Sequence, residues 1–404
     1  MKREEEARLI ELCGHLLKIP SMSGEENLLV DKLKSVFEEI GFDDIYVDEY
    51  GSITARLIGN KPGPRILFDA HMDTVPVKDA AKWKHDPFGG EIEDGRIYGR
   101  GASDMKGALS SMIAAAENFL NEHGRDFCGE VCIAGVVHEE CFEGVAARKI
   151  SARVKPDLVI IGEASNLKLN HGQRGRAEIV AETFGKSSHS SNPDKGINAV
   201  HKMLKLVKEI SSLECFSHEV LGKGILELTD IISSPYPGAS VVPDYCRVTY
   251  DRRLLTGETA QQVLEPLQGL IDRLKAEDPD FAASVSFSSG EEKCFTGNTI
   301  QGERFFPAWL YDPGEDFVQR AWGALKEIGL SPELSHYSFC TNGSHYAGEA
   351  GIKTLGFGPS YEHLAHIADE YVEIHQLQKA CQGYKKIMEE FLTKEKFNGI
   401  GEEK

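Results

Sequence analysis

The sequence predicts an α/β fold in which a mostly parallel-centred sheet is flanked by helices and a smaller α+β domain is inserted. Two short apolar runs, 130-EVCIAGVV-137 and 157-DLVIIG-162, have the composition of buried parallel strands. Before these runs, apolar residues recur at helical spacing over residues 104–120. Strands that alternate with helices indicate the α/β class, and a change of pattern near residue 176 indicates the inserted domain.

The first part of the chain predicts alternating helices and strands. Its elements are a helix over 3–18, a helix that follows a capping-box pattern at Ser23 and Glu26, strands at 52–58 and 65–71, the helix over 104–120 and the two apolar strands. The same pattern returns near the end of the chain. There the sequence predicts a helix over 313–328, a strand at 352–358 and a helix over 372–392.

The middle of the chain predicts a compact sheet with two helices. Strands are predicted at 176–185, 225–231, 246–254 and 283–288, and helices at 197–210 and 258–275. We therefore predict two domains. Residues 1–176 and 291–404 form a discontinuous catalytic domain, and residues 177–290 form the domain inserted into it.

Charge and composition exclude several classes of partner. The formal net charge of the 404 residues is -19, which argues against nucleic acid and against anionic membranes as partners. No apolar run approaches the roughly 18 residues that a transmembrane helix needs, and the acidic start of the chain is not that of a signal peptide. The nine cysteines have no CxxC spacing. We therefore expect a soluble, cytoplasmic protein.

Polar residues that suit a metal ion follow the predicted strands or precede the predicted helices. They are His71, Asp104, the pair Glu139 and Glu140, Glu163 and His366. Ligands of open α/β sheets bind beyond the carboxyl ends of the strands, where three of these groups are expected. Two imidazoles with several carboxylates suit a borderline cation such as zinc. A carboxylate shared by two ions would hold them about 3.5–4 Å apart, a spacing used for hydrolysis.

Each of these residues also has an ordinary structural interpretation. A single histidine near a strand end is most often structural or exposed, an aspartate that begins a helix is usually an N-cap, and adjacent glutamates are usually solvated. The combination of all of them favours a metal site. Asp73 lies two residues after His71, on the same side of an extended segment. It is therefore a candidate to hold the second imidazole nitrogen of His71, with a simple turn residue as the alternative.

These segments resemble the five metal-site motifs of one zinc hydrolase family. The motifs are 69-DAHMDTVPV-77, 99-GRGASDMKG-107, 138-HEECFEG-144, 162-GEAS-165 and 363-HLAHIADEYV-372. The family includes glutamate carboxypeptidase, succinyl-diaminopimelate desuccinylase, acetylornithine deacetylase and aminoacylase. The segments 171-HGQRGRAEI-179, 250-YDRRLLTGET-259 and 338-SFCTNGS-344 further resemble a subgroup of hydrolases linked to selenium metabolism.

The resemblance implies a binuclear site with two zinc ions, for which cobalt or manganese are substitutes. Asp104 resembles the bridging carboxylate and Glu139 resembles the general base, with Asp73 beside them as a second catalytic residue. The remaining ligands fall into two sets, His71 with Glu163 and Glu140 with His366. The family also implies a cis peptide bond between Asp104 and Met105. His138 replaces an aspartate that many members carry before the glutamate pair.

Three further residues resemble substrate-binding positions of the family. His189, in 185-GKSSHSSNPDKGINAV-200, resembles a histidine that stabilises the tetrahedral oxyanion and that often comes from the partner subunit. Arg253 resembles an arginine that grips a substrate carboxylate. Asn342 occupies a position where relatives often carry aspartate, and we predict that it touches substrate. The resemblance also implies a homodimer in which the inserted domain serves as dimerisation or lid domain.

The sequence thus predicts a metal-dependent deacylase or carboxypeptidase that cleaves an amide bond in a small N-acyl amino acid or peptide-like substrate. Glu163 favours this activity, because aminopeptidases and dipeptidases of the family tend to carry aspartate there. A dipeptidase or aminopeptidase of the same fold remains the alternative. A metal-free binding protein on the same fold is a third hypothesis, which the presence of all five ligands and Glu139 disfavours.

Overall fold

The computed structural model describes residues 1–393, which divide into two compact units. The first unit comprises Met1–Gln173, Glu291–Gln301 and the chain from Leu310 onward, and the second comprises Arg174–Gly290 and Gly302–Trp309. Residues 302–309, which the sequence analysis assigned to the catalytic domain, therefore pack with the second unit, because Phe305 and Phe306 pair with its sheet. Residues 394–404 of the predicted catalytic domain lie outside the described part of the chain.

The first unit is built on a nine-stranded mixed sheet whose centre is parallel. Its strands are, in spatial order, Asp44–Val47, Ile53–Ile58, Cys128–Val136, Lys61–His71, Leu158–Ile161, Thr354–Gly356, Leu169–Gln173 and Trp309–Leu310, with Leu334–Tyr337 beside Leu169–Gln173. The four strands from Cys128–Val136 to Thr354–Gly356 are mutually parallel. Their carboxyl ends therefore meet at one edge of the sheet. The predicted fold class is confirmed.

Within residues 1–393, six α-helices accompany this sheet in the first unit. They are Arg3–Leu17, Asn27–Ile40, Lys106–His123, Ala147–Val154, Asp316–Glu327 and Ile374–Leu392, with short turns at Ala80–Lys82, Ser344–Glu349 and Glu362–Leu364. The helix Lys106–His123 is buried along most of its length. Small residues in its sequence, 106-KGALSSMIAAAENFLNEH-123, allow it to pack against both the first and the last of these helices.

The second unit has an antiparallel sheet covered on one face by two helices. Its main strands, in spatial order, are Ile225–Ser234, Tyr245–Leu254, Gly175–Phe184 and Ala282–Phe287, with Phe305–Phe306 also beside Gly175–Phe184. The helices Ala199–Ile210 and Ala260–Glu277 pack on the apolar face of this sheet. The strand Tyr245–Leu254 alternates strictly between buried and half-buried residues, as expected for a sheet with one covered face.

Short strands complete the fold. They form the pairs Ser188–His189 with Val241–Val242, Ser217–His218 with Gly222–Lys223 and Ser289–Lys293 with Thr299–Glu303, and the three-stranded sheet Glu91–Glu93, Arg96–Tyr98 and Tyr371–Glu373. One short helical turn, Pro193–Lys195, lies in the second unit. Within residues 1–393, no helix combines the length and the apolar character that crossing a membrane requires.

Candidate metal centre

Parallel strands bring the first candidate ligands together at their carboxyl ends. His71 is the last residue of the strand Lys61–His71, and Glu163 follows the neighbouring strand Leu158–Ile161 by two residues. Glu139 and Glu140 begin the turn after Cys128–Val136, the neighbour on the other side. Ligand atoms of His71, Glu139 and Glu163 lie within 4.8 Å of one another, as do those of His71, Asp104 and Glu140.

Asp104 lies between the two imidazoles of the cluster. Its Oδ1 is 2.7 Å from Nε2 of His71, and its Oδ2 is 3.1 Å from Nε2 of His366. Glu163 Oε1 approaches the same nitrogen of His71 at 3.4 Å, while Glu140 Oε2 lies 3.1 Å from Nε2 of His366. Each oxygen of one carboxylate thus faces a different group of ligands. The Asp104–Met105 peptide bond is cis, as predicted.

The loop that carries Asp104 is fixed by Glu370, which the sequence analysis did not single out. Its Oε1 accepts hydrogen bonds from the backbone N–H groups of Ser103 and Asp104, at 2.8 and 3.1 Å. Its Oε2 accepts from Arg100, and both side chains are buried. The available sequence signal for Glu370 was its position, four residues after His366 in the motif 363-HLAHIADEYV-372. Spacing alone does not tell which acidic residue of 367-IADEY-371 turns inward.

The carboxylate of Asp73 contacts the glutamate pair rather than the imidazole. Its two oxygens accept from the N–H groups of Glu139 and Glu140, at 3.0 and 3.2 Å, and Oδ2 also accepts from Ser23 Oγ at 2.7 Å. The imidazole of His71 instead has its Nδ1 2.8 Å from the backbone carbonyl oxygen of Asp73, and 3.7 Å from its carboxylate. Asp73 therefore does orient His71, but through its main chain, which corrects the predicted contact.

Ser23 does not cap the following helix. The N-cap residue of Asn27–Ile40 is Glu26, which makes no side-chain capping bond, and the hydroxyl of Ser23 donates to Asp73 instead. The predicted capping box is therefore wrong, because the tertiary hydrogen bond to a fully buried carboxylate competes with the local one. Ser23 is instead part of the network that supports the glutamate pair.

Glu139 is placed to hold a proton. Its side chain is buried beside His71 and Glu163. Burial raises the pKa of Glu139 well above its ordinary value, and Glu163, Glu143 and Glu140 add to the rise, while His71 opposes it. A carboxylate that binds a proton this readily suits general acid–base chemistry.

The other side chains of the cluster favour positive charge at its centre. Hydrogen bonds to Asp104 and Glu140 raise the pKa of His366 to about 10. Burial raises the pKa of Glu163 to about 7, with Asp104 adding to that rise. Two imidazole nitrogens and the oxygens of three carboxylates are donors that zinc, cobalt and manganese accept. The residues present therefore suit the binding of divalent metal ions.

Asn342 is a correction to the predicted substrate residues. Its side chain is 2% exposed. Its Nδ2 donates to Asp69 Oδ1 at 3.0 Å, and its Oδ1 accepts from the N–H of Gly144 at 2.9 Å. Because the nitrogen and the oxygen of the Asn342 side chain both form hydrogen bonds within the protein interior, Asn342 does not present a group to a substrate. The sequence could not distinguish an inward from an outward amide in a loop.

The remaining predicted substrate residues lie in the second unit. His189 is exposed in the short strand Ser188–His189, and its Nδ1 accepts hydrogen bonds from the backbone N–H and hydroxyl groups of Ser191. Arg253 is half-buried, with Nε 2.7 Å from Asp251 Oδ1. Its neighbour Arg252 points to the opposite face, where it is buried against Glu258. The two arginines therefore lie on opposite faces of the strand, and the buried one is Arg252.

Known proteins resemble the chain over nearly its whole length. The sequence profile of peptidase family M20/M25/M40 matches residues 67–390. The protein YgeY of Escherichia coli (strain K12) is 32% identical over 374 residues, which are 91% of this chain and 90% of YgeY. A succinyl-diaminopimelate desuccinylase of Cereibacter sphaeroides (strain ATCC 17025) is 30% identical over 402 residues, covering 95% of this chain and 99% of that enzyme.

Solved structures share the fold at lower sequence identity. Aminopeptidase PepT of Bacillus cereus is 20% identical with a TM-score of 0.75, over 96% of this chain and 98% of its own. The YxeP protein of Bacillus subtilis, a dinuclear metal binding peptidase, is 16% identical with a TM-score of 0.71, over 96% and 98% of the two chains. With this profile, these sequence relatives and the clustered ligands, the chain belongs to peptidase family M20/M25/M40 and is a metallohydrolase of that family.

Proposed function

We propose that the protein is a binuclear, zinc-dependent amidohydrolase of the deacylase or carboxypeptidase type. Its substrate would be a small N-acyl amino acid or a peptide-like molecule. The observation that carries the proposal is the position of Asp104, whose two carboxylate oxygens face different imidazoles. A carboxylate placed between two sets of ligands would suit two metal ions close enough for two-metal hydrolysis.

Each cation would have its own ligands in addition to Asp104. One would be held by His71 and Glu163, and the other by Glu140 and His366, as the contacts around Asp104 support. When bound, two such ions supply Lewis acidity that lowers the pKa of water toward ~7 and polarises the carbonyl of the scissile amide.

Glu139 would move the proton of the reaction. The oxygen of a water molecule forms a bond to the carbonyl carbon, and Glu139 takes the proton that this oxygen loses. The same proton then passes to the amide nitrogen, which leaves as an amine when the carbon–nitrogen bond breaks. The position of Glu139 supports this cycle, because its buried carboxylate lies beside His71 and Glu163, next to the proposed cations.

Two side chains of the second unit would handle the rest of the substrate. His189 would donate to the oxyanion that forms on the carbonyl oxygen, and Arg253 would bind a substrate carboxylate. The hydrogen bonds from Ser191 to Nδ1 of His189 support this role, because they leave the Nε2 side of the ring to carry a proton.

The second unit would also form the contact of a homodimer. Its sheet ends at the strand Ile225–Ser234, where the side chains of Ile225, Leu228, Ile231 and Ile232 are exposed. An exposed apolar strand at a sheet edge is a surface that another chain can extend.

We also propose a cytoplasmic location on the basis of the cysteines. All nine lie within residues 1–393, and none of them forms a disulfide, as expected in a reducing compartment.

A substrate panel tests the proposed reaction. Zinc-loaded protein would be assayed with N-acetyl and N-succinyl amino acids, with dipeptides that have a free amino end, and with the same compounds bearing a blocked carboxyl end. We expect the protein to hydrolyse acylated amino acids, and we expect this activity to require the free carboxylate. Preferential cleavage of peptides with a free amino end would instead support the dipeptidase or aminopeptidase alternative, and metal-replete protein that hydrolyses none of these amides would contradict the proposal.

A further inference from the structure

We propose that Asn342 is a positioning residue that fixes the general base Glu139 by tying its loop to the strand that carries His71. This inference rests on the proposed function for the role of Glu139. Its structural part concerns the buried hydrogen bonds that join Asn342 to Asp69 and to Gly144, which we call the amide clamp.

The amide clamp joins two segments that supply groups to the metal centre. Asp69 lies on the strand Lys61–His71, two residues before His71, and it accepts from Asn342 Nδ2 at 3.0 Å. Gly144 lies five residues after Glu139, and its N–H donates to Asn342 Oδ1 at 2.9 Å. One side chain therefore supplies a donor to the strand and an acceptor to the loop. An amide can do both at once, and a carboxylate cannot.

The loop that contains Glu139 is held at both of its ends. Asp73 accepts from the N–H groups of Glu139 and Glu140 at the start, and Asn342 accepts from Gly144 at the end. Gly144 has a φ of 85°, and a Cβ atom there would lie 2.9 Å from Ser344 Oγ. The loop therefore approaches the turn after Asn342 so closely that Gly144 has no space for a side chain.

The burial of the amide clamp makes each hydrogen bond costly to lose. Asp69 is 1% exposed, and its second oxygen accepts from Tyr346 Oη at 2.8 Å. Removing the Asn342 amide would leave a buried carboxylate with one donor fewer and a buried N–H without its acceptor. Relief of both defects requires movement of the strand or of the loop. Movement of the loop displaces Glu139 and the adjacent ligand Glu140, while the other four proposed ligands lie on other segments.

Asn342→Leu tests the proposal, because leucine has a similar branched shape without hydrogen-bonding groups. We expect kcat to fall about 10–100-fold, the usual range for residues that support a metal site from behind its ligands, with little change in KM. Hydrogen–deuterium exchange of the peptide that covers residues 139–145 should become faster. Metal content, measured by elemental analysis, should fall less than kcat does, because four of the five proposed ligands lie outside this loop. Asn342→Ala removes the same two hydrogen bonds, and it would be used instead if the Asn342→Leu protein does not fold.

Two control variants separate positioning from general stability. The reciprocal double variant Asp69→Asn with Asn342→Asp keeps every bond of the amide clamp, because the new amide at position 69 donates to the new carboxylate at position 342. This double variant should recover the kcat of wild type, and hydrogen–deuterium exchange of the loop should be slow again. Tyr346→Phe removes the other donor to Asp69 but leaves the link to Gly144. It should lower the unfolding temperature while leaving kcat and loop exchange close to wild type.

Several results would overturn the proposal. They are wild-type kcat and loop exchange in the folded Asn342→Leu or Asn342→Ala protein, a folded double variant that stays as impaired as the single one, or an equal loss of kcat in Tyr346→Phe. The exchange measurement needs no substrate. A fast-exchanging loop in Asn342→Leu together with a chain that cleaves no amide would therefore contradict the proposed function and leave the amide clamp supported.

Discussion

The two units of the molecule treat their predicted functional residues differently. In the first unit, His71, Asp104 and Glu163 are buried or nearly so and contact one another. In the second unit, His189 is exposed and Arg253 is half-buried, and the hydrogen bonds of each go to neighbours in its own loop or strand. The first arrangement is a centre that one fold completes by itself. The second is a pair of polar groups on a surface, suited to bind something that arrives from outside.

The comparison implies that metal binding and substrate binding can be disrupted separately. Changes in the first unit should affect metal content or the chemical step. Changes at the surface of the second unit should affect KM or assembly while the metal stays bound.

Replacement of the shared carboxylate should have the largest effect. Asp104→Asn keeps the size of the side chain but removes the charge that both imidazoles contact. We expect metal content well below that of wild type and turnover reduced by about 10³-fold or more, since each ion contributes several kcal/mol to the transition state. Elemental analysis and kcat/KM measure the two effects. Full metal content in this variant would show that Asp104 is not a shared ligand.

Replacement of the general base should affect the chemical step alone. Glu139→Gln is expected to lower kcat by about 10²–10⁴-fold, the range that proton transfer contributes, while the protein retains its metal. A control is Glu143→Gln, which changes a nearby acidic side chain that is not proposed to transfer a proton. Turnover of Glu139→Gln equal to that of the control would remove Glu139 from the mechanism.

Replacement of the surface arginine should affect substrate binding. Arg253→Ala is expected to raise KM about 10- to 100-fold for substrates with a free carboxylate, because a hydrogen-bonded ion pair contributes about 1.5–3 kcal/mol. Substrates with a blocked carboxylate should lose much less. Arg247→Ala alters an arginine on the same face of the same strand and serves as the matched control. Equal effects of both variants would argue against carboxylate recognition by Arg253.

Disruption of the exposed sheet edge should have the smallest effect on the metal centre. Ile232, 51% exposed, would be replaced by lysine, which opposes association at a strand edge. Light scattering should report a monomer in place of a dimer, with unchanged metal content. Activity then tells whether His189 acts within its own chain or in the partner subunit. A wild-type protein that is already monomeric would contradict the proposed dimer.

The sequence predicted the fold class, and it predicted which polar side chains would lie together at the edge of the sheet, because both follow local rules. Apolar strands and periodic helices define the sheet, and parallel strands deliver His71 and Glu163 to the same edge whatever the rest of the chain does. The motifs are contiguous, so the order of ligands could be followed along the chain. The way in which each ligand is supported depends instead on distant segments, which periodicity does not describe.

Asn342 and Ser23 illustrate that limit. Asn342 was predicted to touch substrate, but it is buried between Asp69 and Gly144. Ser23 was predicted to cap a helix, but its hydroxyl reaches Asp73, fifty residues away along the chain. In both cases the residue type was informative, since a polar side chain in a loop needs a partner. Which group serves as that partner could be identified only from the fold.

The metal content of the purified protein tests the central claim most directly. Zinc would be supplied, unbound metal removed by dialysis, and the number of bound ions per chain counted by elemental analysis in wild type and in Asp104→Asn. We predict close to two ions per wild-type chain and a marked loss in the variant. A wild-type chain that retains no metal, or one whose metal content is unaffected by Asp104→Asn, would contradict a binuclear centre built around Asp104.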